Sequence, residues 1–323
     1  MKLLETQSTD CYYNLAFEEH CFERLDPSES YVCLWQNLDT IVVGRYQNTA
    51  EEVNEPYVRE HGVRVVRRLS GGGAVYHDLG NLNYTIIADA NGTGADFARF
   101  TRPVVDALAK LGVHAEISGR NDITIDCKKF SGNAQYSKRG RTMHHGTLLF
   151  SSNLDAVADA LRPPGAKLES KGIKSVRSRV TNICEHTTAA MRDFSDALLE
   201  SLFPHGVERS DAPDLQAVER LRAEKYALRE WNYGMSPPYS VRVSKRFDCG
   251  SVELMLDVKG DRIRSASIRG DFFGTPDIDV LERALIGAIP TGEGVAEAIS
   301  GLEVSEFIYG LTNAQFASIP ALS

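Results

Sequence analysis

The sequence has 323 residues, of which 42% are hydrophobic and 25% are charged, so it can build an ordinary globular core and a wholly disordered chain is excluded. This length predicts about two domains. The 36 basic and 44 acidic residues give a net charge of −8, which argues against nucleic acid as the main partner.

Signals for export or membrane insertion are not expected. Residues 1–10 carry charges and lack an apolar segment, and no apolar run approaches the roughly 18 residues of a membrane helix. The cysteines are scattered without C-x-x-C or zinc spacing, at positions 11, 21, 33, 127, 184 and 249. Such usage is typical of reduced cytosolic proteins, so we expect a cytoplasmic protein without a membrane partner.

The first elements in chain order are a capped helix and two short strands. Asp10 or Asn14 is a suitable N-cap for a helix with an apolar stripe. Tyr31–Trp35 and Thr40–Val43 predict strands, and the polar tetrapeptide between them predicts a hairpin.

The middle of the chain mixes strands and helices in irregular order. Residues 50–61 predict a short acidic helix interrupted by Pro56, and 96–111 predict a helix with a 3.6-residue period. Further strands are predicted at 63–66, 82–88, 113–117, 123–125 and 147–150, and a helix at 154–161. Many strands with few β-α-β alternations favour an α+β fold, with a mixed, largely antiparallel sheet and packed helices.

The composition changes after residue 200, which indicates a second unit. Predicted elements are a charged helix at 215–228, an extended connection at 235–238, strands at 252–258 and 263–268, and helices near 277–288 and 292–300. We therefore expect two domains, at residues 1–240 and 245–323, the second being a small α+β domain.

The most unusual segment is RRLSGGGAVYHD at residues 67–78. Three consecutive glycines suit a backbone that approaches a ligand closely and presents N–H donors, and Arg67 and Arg68 add forked donors for phosphate or carboxylate. The P-loop pattern is absent, and the dinucleotide fingerprint needs a glycine where Tyr76 stands. The segment indicates an anion site for nucleotide phosphate, carboxylate or both, with a plain glycine-rich turn as the alternative.

Polar residues also gather between the predicted strands of residues 119–147. Neighbours on a strand point to opposite faces, so His144 and His145 predict one buried, hydrogen-bonded ring and one ring facing a site, not a shared metal. Asp122 is a candidate Mg²⁺ ligand, since Mg²⁺ is often held by one or two carboxylates plus substrate phosphates; an aspartate in a turn is the alternative. A basic run at 162–179 is either a solvated face or part of the site.

Together these motifs resemble the lipoate–protein ligases, relatives of the biotin protein ligases and the octanoyl transferases. The match covers essentially the whole chain in order: RRLSGGGAVYHDLGN at 67–81, GRNDI at 119–123, KKFSGNA at 128–134, HHGTLL at 144–149, KGIKSVRSRVTN at 171–182 and WNYG at 231–234.

The resemblance implies a two-step reaction that uses ATP and Mg²⁺. Free lipoate and MgATP give lipoyl-AMP and pyrophosphate, and the ε-amine of a lysine then attacks the mixed anhydride and releases AMP. The implied partners are lipoyl domains of 2-oxoacid dehydrogenase acyltransferase subunits and the H protein of the glycine cleavage system.

The resemblance also implies roles for individual residues. Lys129 would be catalytic, because its ammonium would screen the repulsion between the carboxylate and the α-phosphate, and Asp122 would hold Mg²⁺. Contacts with ATP or lipoyl-AMP are implied for Arg68, Ser70, Gly71, Gly72, Gly73, Ala74, Val75, Tyr76, His77, Asn121, Lys129 and His145. Residues 245–323 would form an accessory domain that supports activation.

Three alternative functions remain open at this stage. In one group of octanoyl transferases a nucleophilic cysteine stands where Lys171 stands here, and we interpret the thiols nearest the motifs, Cys127 and Cys184, as buried structural residues. A non-catalytic lipoate or adenylate binder would not require the complete set of motifs. Biotin ligation would require a G-R-G-R-x-G loop, and this chain has SGGG.

Overall fold

The computed structural model describes residues 1–90, 96–161, 179–234 and 239–320. The strands are β1 (Lys2–Leu4), β2 (Tyr31–Trp35), β3 (Thr40–Val43), β4 (Arg64–Arg67), β5 (Val75–His77), β6 (Asn81–Asp89), β7 (Glu116–Ser118), β8 (Asp122–Ile125), β9 (Lys128–Lys138), β10 (Arg141–Leu149), β11 (Val241–Phe247), β12 (Gly250–Lys259) and β13 (Arg262–Gly270). The α-helices are α1 (Cys11–Arg24), α2 (Thr49–Glu52), α3 (Glu55–His61), α4 (Phe97–Lys110), α5 (Leu154–Ala160), α6 (Met191–Leu202), α7 (Leu215–Leu221), α8 (Arg229–Tyr233), α9 (Asp279–Ala284), α10 (Gly292–Ala298), α11 (Val304–Phe307) and α12 (Asn313–Ala317).

A seven-stranded sheet forms the centre of the molecule, in the order β1-β2-β6-β10-β9-β8-β7. Its β1–β2 pair is parallel, and every other neighbouring pair is antiparallel. A second, three-stranded sheet has the order β4-β3-β5, with β3 parallel to β4 and antiparallel to β5. The predicted α+β fold with a mixed, largely antiparallel sheet is confirmed.

The two faces of the large sheet are covered by different layers. Alternate residues of β2 face opposite sides, and Val32 packs with α4 and α6, whereas Cys33 and Trp35 pack with α1 and with Val42 of the small sheet. The small sheet and α1 therefore cover one face of the large sheet, and the space between the two sheets is where a ligand site can form.

The predicted hairpin of β2 and β3 is wrong, because the two strands belong to different sheets. The polar tetrapeptide between them crosses from one sheet to the other instead of turning. Asn37 in this crossing is fully buried, and its side chain is hydrogen-bonded to Asn14 of α1 and His77 of β5. The segment crosses between the sheets with this amide buried and does not turn at the surface. The local sequence does not reveal that the amide is buried.

Helix ends agree with the capping residues more closely than with the predicted bounds. Asp10 caps α1 by accepting from the Tyr12 N–H. The helix predicted at 50–61 is two helices, because Asn54 caps the second and Pro56 lies in its first turn, where a proline is tolerated. The helix predicted at 215–228 ends as α7 at Leu221 and continues as a π-helical turn, Arg222–Tyr226, before α8.

A C-terminal domain is built on the antiparallel sheet β11-β12-β13. Its core joins apolar residues of these strands with those of α9 to α12. The sequence did not predict β11, an edge strand whose residues are exposed or half-buried, nor the short helices α11 and α12. None of the helices in the described ranges has the length and apolar character needed to cross a membrane.

Candidate active site

A pocket lies between the large sheet and the small sheet. Its walls come from α1, from strands of both sheets, from the glycine-rich loop between β4 and β5, and from the C-terminal domain. The lining residues are Leu15, Trp35, Val42, Arg68, Gly72, Gly73, Ala74, Val75, His77, Asn83, Asn121, Lys129, Gly132, Asn133, Ala134, His145, Gly146, Thr147 and Phe273.

The pocket has an apolar inner end and a polar outer end. Leu15, Trp35 and Val42 at the inner end are each at least 95% buried, whereas 39% of the Lys129 side chain is exposed. Trp35 lies on β2 and Lys129 on β9, three strands apart in the sheet order, which corresponds to roughly 14 Å at the usual strand spacing. This shape suits an elongated molecule with an apolar tail and an anionic head.

Lys129 and Asp122 form an ion pair at the outer end, with 2.7 Å between Nζ and Oδ1. The backbone of Lys129 is fixed on both sides, because its N–H donates to the carbonyl of Arg179 and its carbonyl accepts from the N–H of Thr181. Asp122 is adjacent to the pocket through this pair and is not itself a lining residue. The described residues contain no cluster of three or more histidine, cysteine or carboxylate groups that could hold a metal.

The two arginines of the glycine-rich loop hold the backbone in place. The Arg68 guanidinium donates to the carbonyls of Val42, Gly71 and Gly73 and to the Ser70 hydroxyl, and burial lowers the pKa of Arg68 to about 10, so it stays charged near neutral pH. Arg67 is buried outside the pocket.

The donors of Arg67 are directed at the backbone. Its guanidinium donates to the carbonyls of Gly44, Arg45, Gln47, Trp231 and Asn232 and to the Thr49 hydroxyl. The expectation that Arg67 offers its donors to an anion is therefore wrong, since backbone carbonyls use them.

The glycines allow both a ligand and the C-terminal domain to come close to the backbone of the loop. The Gly72 N–H donates to the carbonyl of Phe272, and a Cβ at Gly71 would clash with the same oxygen. Gly73 lines the pocket, and none of the described atoms lies within 4 Å of the position its Cβ would take. The close approach predicted for these glycines exists, but at Gly71 and Gly72 it serves contact between domains.

Phe273 is a pocket residue that the sequence did not indicate, because nothing in residues 245–323 suggested a site. Its ring packs on Phe97 and lies 4.4 Å below the guanidinium carbon of Arg120. Arg120 also donates to the carbonyl of Cys249, and Tyr46 stacks on Phe272 with centroids 4.8 Å apart. The C-terminal domain is thus tied to the residues that precede Asn121 and Asp122.

The two neighbouring histidines of β10 differ as predicted. His144 is fully buried, where Tyr84 and Gln135 are hydrogen-bonded to its ring, and burial lowers its pKa well below the usual value. His145 lines the pocket, and its Nε2 lies 2.6 Å from the Ser70 hydroxyl.

Glu18 is a further residue that the sequence analysis missed. Its buried carboxylate accepts from His145 Nδ1 at 3.2 Å and from the Thr85 hydroxyl. A signal existed, because Leu15, Glu18 and Phe22 lie at helical spacing on the apolar stripe of α1, where a carboxylate needs a polar partner. The bonds of Glu18 and Ser70 fix the ring of His145.

The structure brings most of the predicted contact residues to the pocket, with three exceptions. Ser70 and Gly71 lie just behind the lining, Ser70 bonded to His145 and Gly71 against Phe272. The Tyr76 side chain points to the other face of β5, where its hydroxyl donates to Asp39. Its neighbours on the strand, Val75 and His77, line the pocket.

The interpretation of Cys127 and Cys184 as buried residues is wrong, since both are exposed. Cys127 lies in the turn between β8 and β9, where its φ of 61° is in the left-handed region. Neither thiol lines the pocket. Lys171 and most of the basic run at 162–179 lie outside the described residues.

Family models match the chain in two parts. Residues 10–203 match the lipoyl protein ligase A/B catalytic domain, and residues 236–319 match the C-terminus of bacterial lipoate protein ligases. The lipoate-protein ligase LplJ of Bacillus subtilis is 42% identical, with 99% of each chain covered. Lipoate–protein ligase 1 of Staphylococcus aureus is 43% identical, with 95% of this chain and 96% of the relative covered.

Solved structures show the same fold. LipL1 of P. falciparum in complex with lipoate has a TM-score of 0.80 at 23% identity, with 96% of this chain and 95% of that chain covered. A bipartite lipoate protein ligase of Thermoplasma acidophilum, studied with its E2 lipoyl domain, has a TM-score of 0.69 at 26% identity, covering 74% and 98%. Lipoate-protein ligase A bound with ATP has a TM-score of 0.64 at 25% identity, covering 73% and 99%.

Proposed function

The chain belongs to the lipoyl protein ligase A/B family, and from that premise we propose that it is an ATP-dependent lipoate–protein ligase. It activates free lipoate to lipoyl-AMP and transfers the lipoyl group to a lysine of lipoyl domains. The observation that carries this proposal is the pocket itself, with its apolar inner end at Trp35 and the ammonium of Lys129 at the outer end.

Substrate binding follows from the distribution of polarity. The apolar tail of lipoate lies along the inner end beside Trp35 and Val42, where its burial is favourable. The carboxylate then lies near Lys129. The nucleotide lies along the backbone of Gly73 and Ala74 and beside Asn121, and a relative of 25% identity has been solved with ATP bound.

Lys129 performs the charge compensation in the first step. A lipoate carboxylate oxygen attacks the α-phosphorus of ATP, the bond from that phosphorus to the bridging oxygen breaks, and pyrophosphate leaves. The ammonium screens the repulsion between the two anions and stabilises charge that develops in the transition state. The fixed backbone of Lys129 between residues 179 and 181 positions this group before the substrates arrive.

Asp122 is the residue that would hold Mg²⁺. One carboxylate with about a third of its side chain exposed fits an ion that takes most of its other ligands from phosphates and water. When bound, the ion supplies positive charge to the phosphates. Asp122 also holds the ammonium of Lys129 at the outer end of the pocket.

In the second step a neutral lysine amine of the acceptor attacks the carbonyl carbon of lipoyl-AMP. The amide C–N bond forms, the C–O bond of the anhydride breaks, AMP leaves, and the amine proton goes to water or to an adenylate oxygen. Lys129 contacts the carbonyl and phosphate oxygens while charge develops on them. Both ring nitrogens of His145 are already hydrogen-bonded, to Ser70 and Glu18, so His145 positions the wall of the pocket.

The roles of the two domains and the identity of the acceptor proteins are part of the same proposal. Residues 1–240 carry out both chemical steps, and residues 245–323 act as an accessory domain, which the two separate family matches and the hydrophobic cluster of the C-terminal domain, joined by Tyr46, support. The acceptors are lipoyl domains of 2-oxoacid dehydrogenase acyltransferase subunits and the glycine cleavage H protein, in the cytoplasm. A relative of 26% identity was studied with its E2 lipoyl domain.

The test is pyrophosphate release from ATP with lipoate, octanoate or biotin, with and without an apo lipoyl domain. We expect release with lipoate, none with biotin, and an acceptor mass increase that requires ATP. Transfer of octanoate from acyl carrier protein without ATP would overturn the proposal in favour of a transferase.

A further inference from the structure

His77 places a polar atom without a partner in the pocket wall. Only 3% of His77 is exposed, and its Nε2 is buried without a hydrogen-bond partner in the described part of the chain. A buried polar group that lacks a partner is uncommon in a folded protein and destabilises it. The residue lines the pocket, so a bound molecule can provide the missing partner.

Two amides determine which ring nitrogen carries the proton. Asn14 donates to the carbonyls of Ser8 and Gln36 and to Asn37 Oδ1, which turns the Asn37 amide nitrogen towards His77 Nδ1 at 3.1 Å.

On the other side of the ring, Asn83 Oδ1 accepts from Asn81, which turns its amide nitrogen towards the same Nδ1 at 3.5 Å. Nδ1 therefore accepts, and the proton lies on Nε2. Burial lowers the pKa of His77 to about 3, so the ring is neutral near pH 7.

The position of His77 indicates which part of the substrate meets this donor. Its ring lies 6.1 Å from the ring of Trp35, centroid to centroid, among the residues of the apolar inner end. Lys129, beside which we place the carboxylate, is on β9, and β6 and β10 separate this strand from Trp35 on β2. The ring of His77 therefore lies beside the tail of the acid and not beside its carboxylate.

We propose that the Nε2–H of His77 is a specificity-determining donor for a weak hydrogen-bond acceptor in the acyl tail, which in lipoate is a sulfur of the dithiolane ring. This inference rests on the proposed function, because it takes lipoate to be the acid. A hydrocarbon tail of equal length leaves the donor without a partner and the pocket discriminates against it.

The experiment compares three acids: lipoate, octanoate, and 5-cyclopentylpentanoate, which keeps the ring shape and replaces both sulfurs with methylene groups. Binding of each acid is measured by calorimetry and activation by pyrophosphate release, in the wild-type chain, in His77→Phe and in His77→Gln. Thermal unfolding shows that the variants are folded, and the ¹H–¹⁵N signal of His77 Nε2 is followed in the wild-type chain.

We expect the wild-type chain to prefer lipoate over the cyclopentyl acid by about fivefold or more in kcat/KM and in affinity. We expect the ratio of lipoate use to cyclopentyl acid use to fall towards one in His77→Phe. It is partly kept in His77→Gln, because the glutamine amide can donate. In the wild-type chain the Nε2 signal shifts when lipoate binds and not when either of the other acids binds. Equal use of lipoate and the cyclopentyl acid by the wild-type chain, with an Nε2 signal that does not distinguish them, would overturn the inference. Binding of all three acids without pyrophosphate release would instead contradict the proposed function.

Discussion

The ammonium nitrogen of Lys129 lies 2.7 Å from a carboxylate oxygen of Asp122, at the outer end of a pocket whose inner end is apolar. About a third of each side chain is exposed, so solvent screens the pair and it contributes little to folding. Substitutions at these two residues therefore report on chemistry and not on stability.

Replacing Lys129 with alanine should reduce lipoylation severely while the protein stays folded. We expect kcat for both half-reactions to fall by ~10²–10³, the usual effect of removing one positioned donor from a developing oxyanion. Pyrophosphate release measures the first half-reaction, and mass spectrometry of a lipoyl domain supplied with lipoyl-AMP measures the second. The matched control is Lys128→Ala, since Lys128 is exposed next to it on β9 and should tolerate the change. Wild-type lipoylation by Lys129→Ala would remove the catalytic assignment.

Replacing Asp122 with alanine should impair activation more than transfer. The proposed metal contact acts while triphosphate is present, whereas transfer from lipoyl-AMP no longer involves pyrophosphate. We expect the Mg²⁺ concentration for half-maximal pyrophosphate release to rise, with a smaller loss in transfer from supplied lipoyl-AMP. Asp122→Asn is the matched variant, because it keeps the shape and removes the charge. Equal losses in both half-reactions would argue that Asp122 only positions Lys129.

The fold class could be predicted from the sequence because it depends on local patterns, whereas the roles of the pocket residues were implied by the resemblance of their motifs to a family. The glycine loop, Lys129 and His145 come together as expected. The sequence misassigned Arg67, whose donors bond to backbone carbonyls from distant segments, and it did not reveal Phe273, which reaches the pocket from another domain. Both depend on tertiary contacts, which produce no periodic pattern in the sequence.

A similar limit explains the crossing between β2 and β3. Its four polar residues have the composition of a turn, and the burial of Asn37 between Asn14 and His77 arises only once α1 and β5 are in place. Local propensity predicted a hairpin, and the tertiary structure overrode it.

Gly71→Ala should disturb the contact of the C-terminal domain with the glycine-rich loop. The added Cβ would clash with the carbonyl oxygen of Phe272, so the loop or the domain must move. We expect slower pyrophosphate release and increased proteolysis between the domains. Gly301→Ala is the matched control, since its Cβ meets none of the described atoms within 4 Å and Gly301 does not line the pocket. If both variants released pyrophosphate equally well, the contact at Phe272 would have no part in activation.

A truncation that ends near residue 240 should transfer from lipoyl-AMP but activate lipoate poorly. It removes Phe273 from the pocket wall and the stacking partner of Tyr46, while Lys129 and the inner end remain. Because truncation exposes apolar surface, Phe273→Ala in the full chain is the second variant, with the same expected bias towards transfer. Full ATP-dependent activity of both would contradict an accessory role for residues 245–323.

Stability should fall as the pH is lowered from 7 to 5, because two histidines are buried in the neutral form. Burial lowers the pKa of His77 from its ordinary value of 6.5 to about 3, and that of His144 well below 6.5. Below pH 6.5 the unfolded chain binds protons that the folded chain excludes, so each histidine removes up to about 1.4 kcal/mol of unfolding free energy per pH unit. Urea unfolding at pH 7, 6 and 5 measures this slope.

His77→Gln should reduce this pH dependence, because it removes one of these two rings that are buried in the neutral form. The matched control, His61→Gln, changes an exposed histidine of α3 and should leave the slope as it is. The pH range stays above 5 so that carboxylates with ordinary pKa values near 4 contribute little. An unchanged slope in His77→Gln would mean that His77 takes up a proton in the folded chain as readily as in the unfolded chain, and it would contradict the burial of this ring in the neutral form.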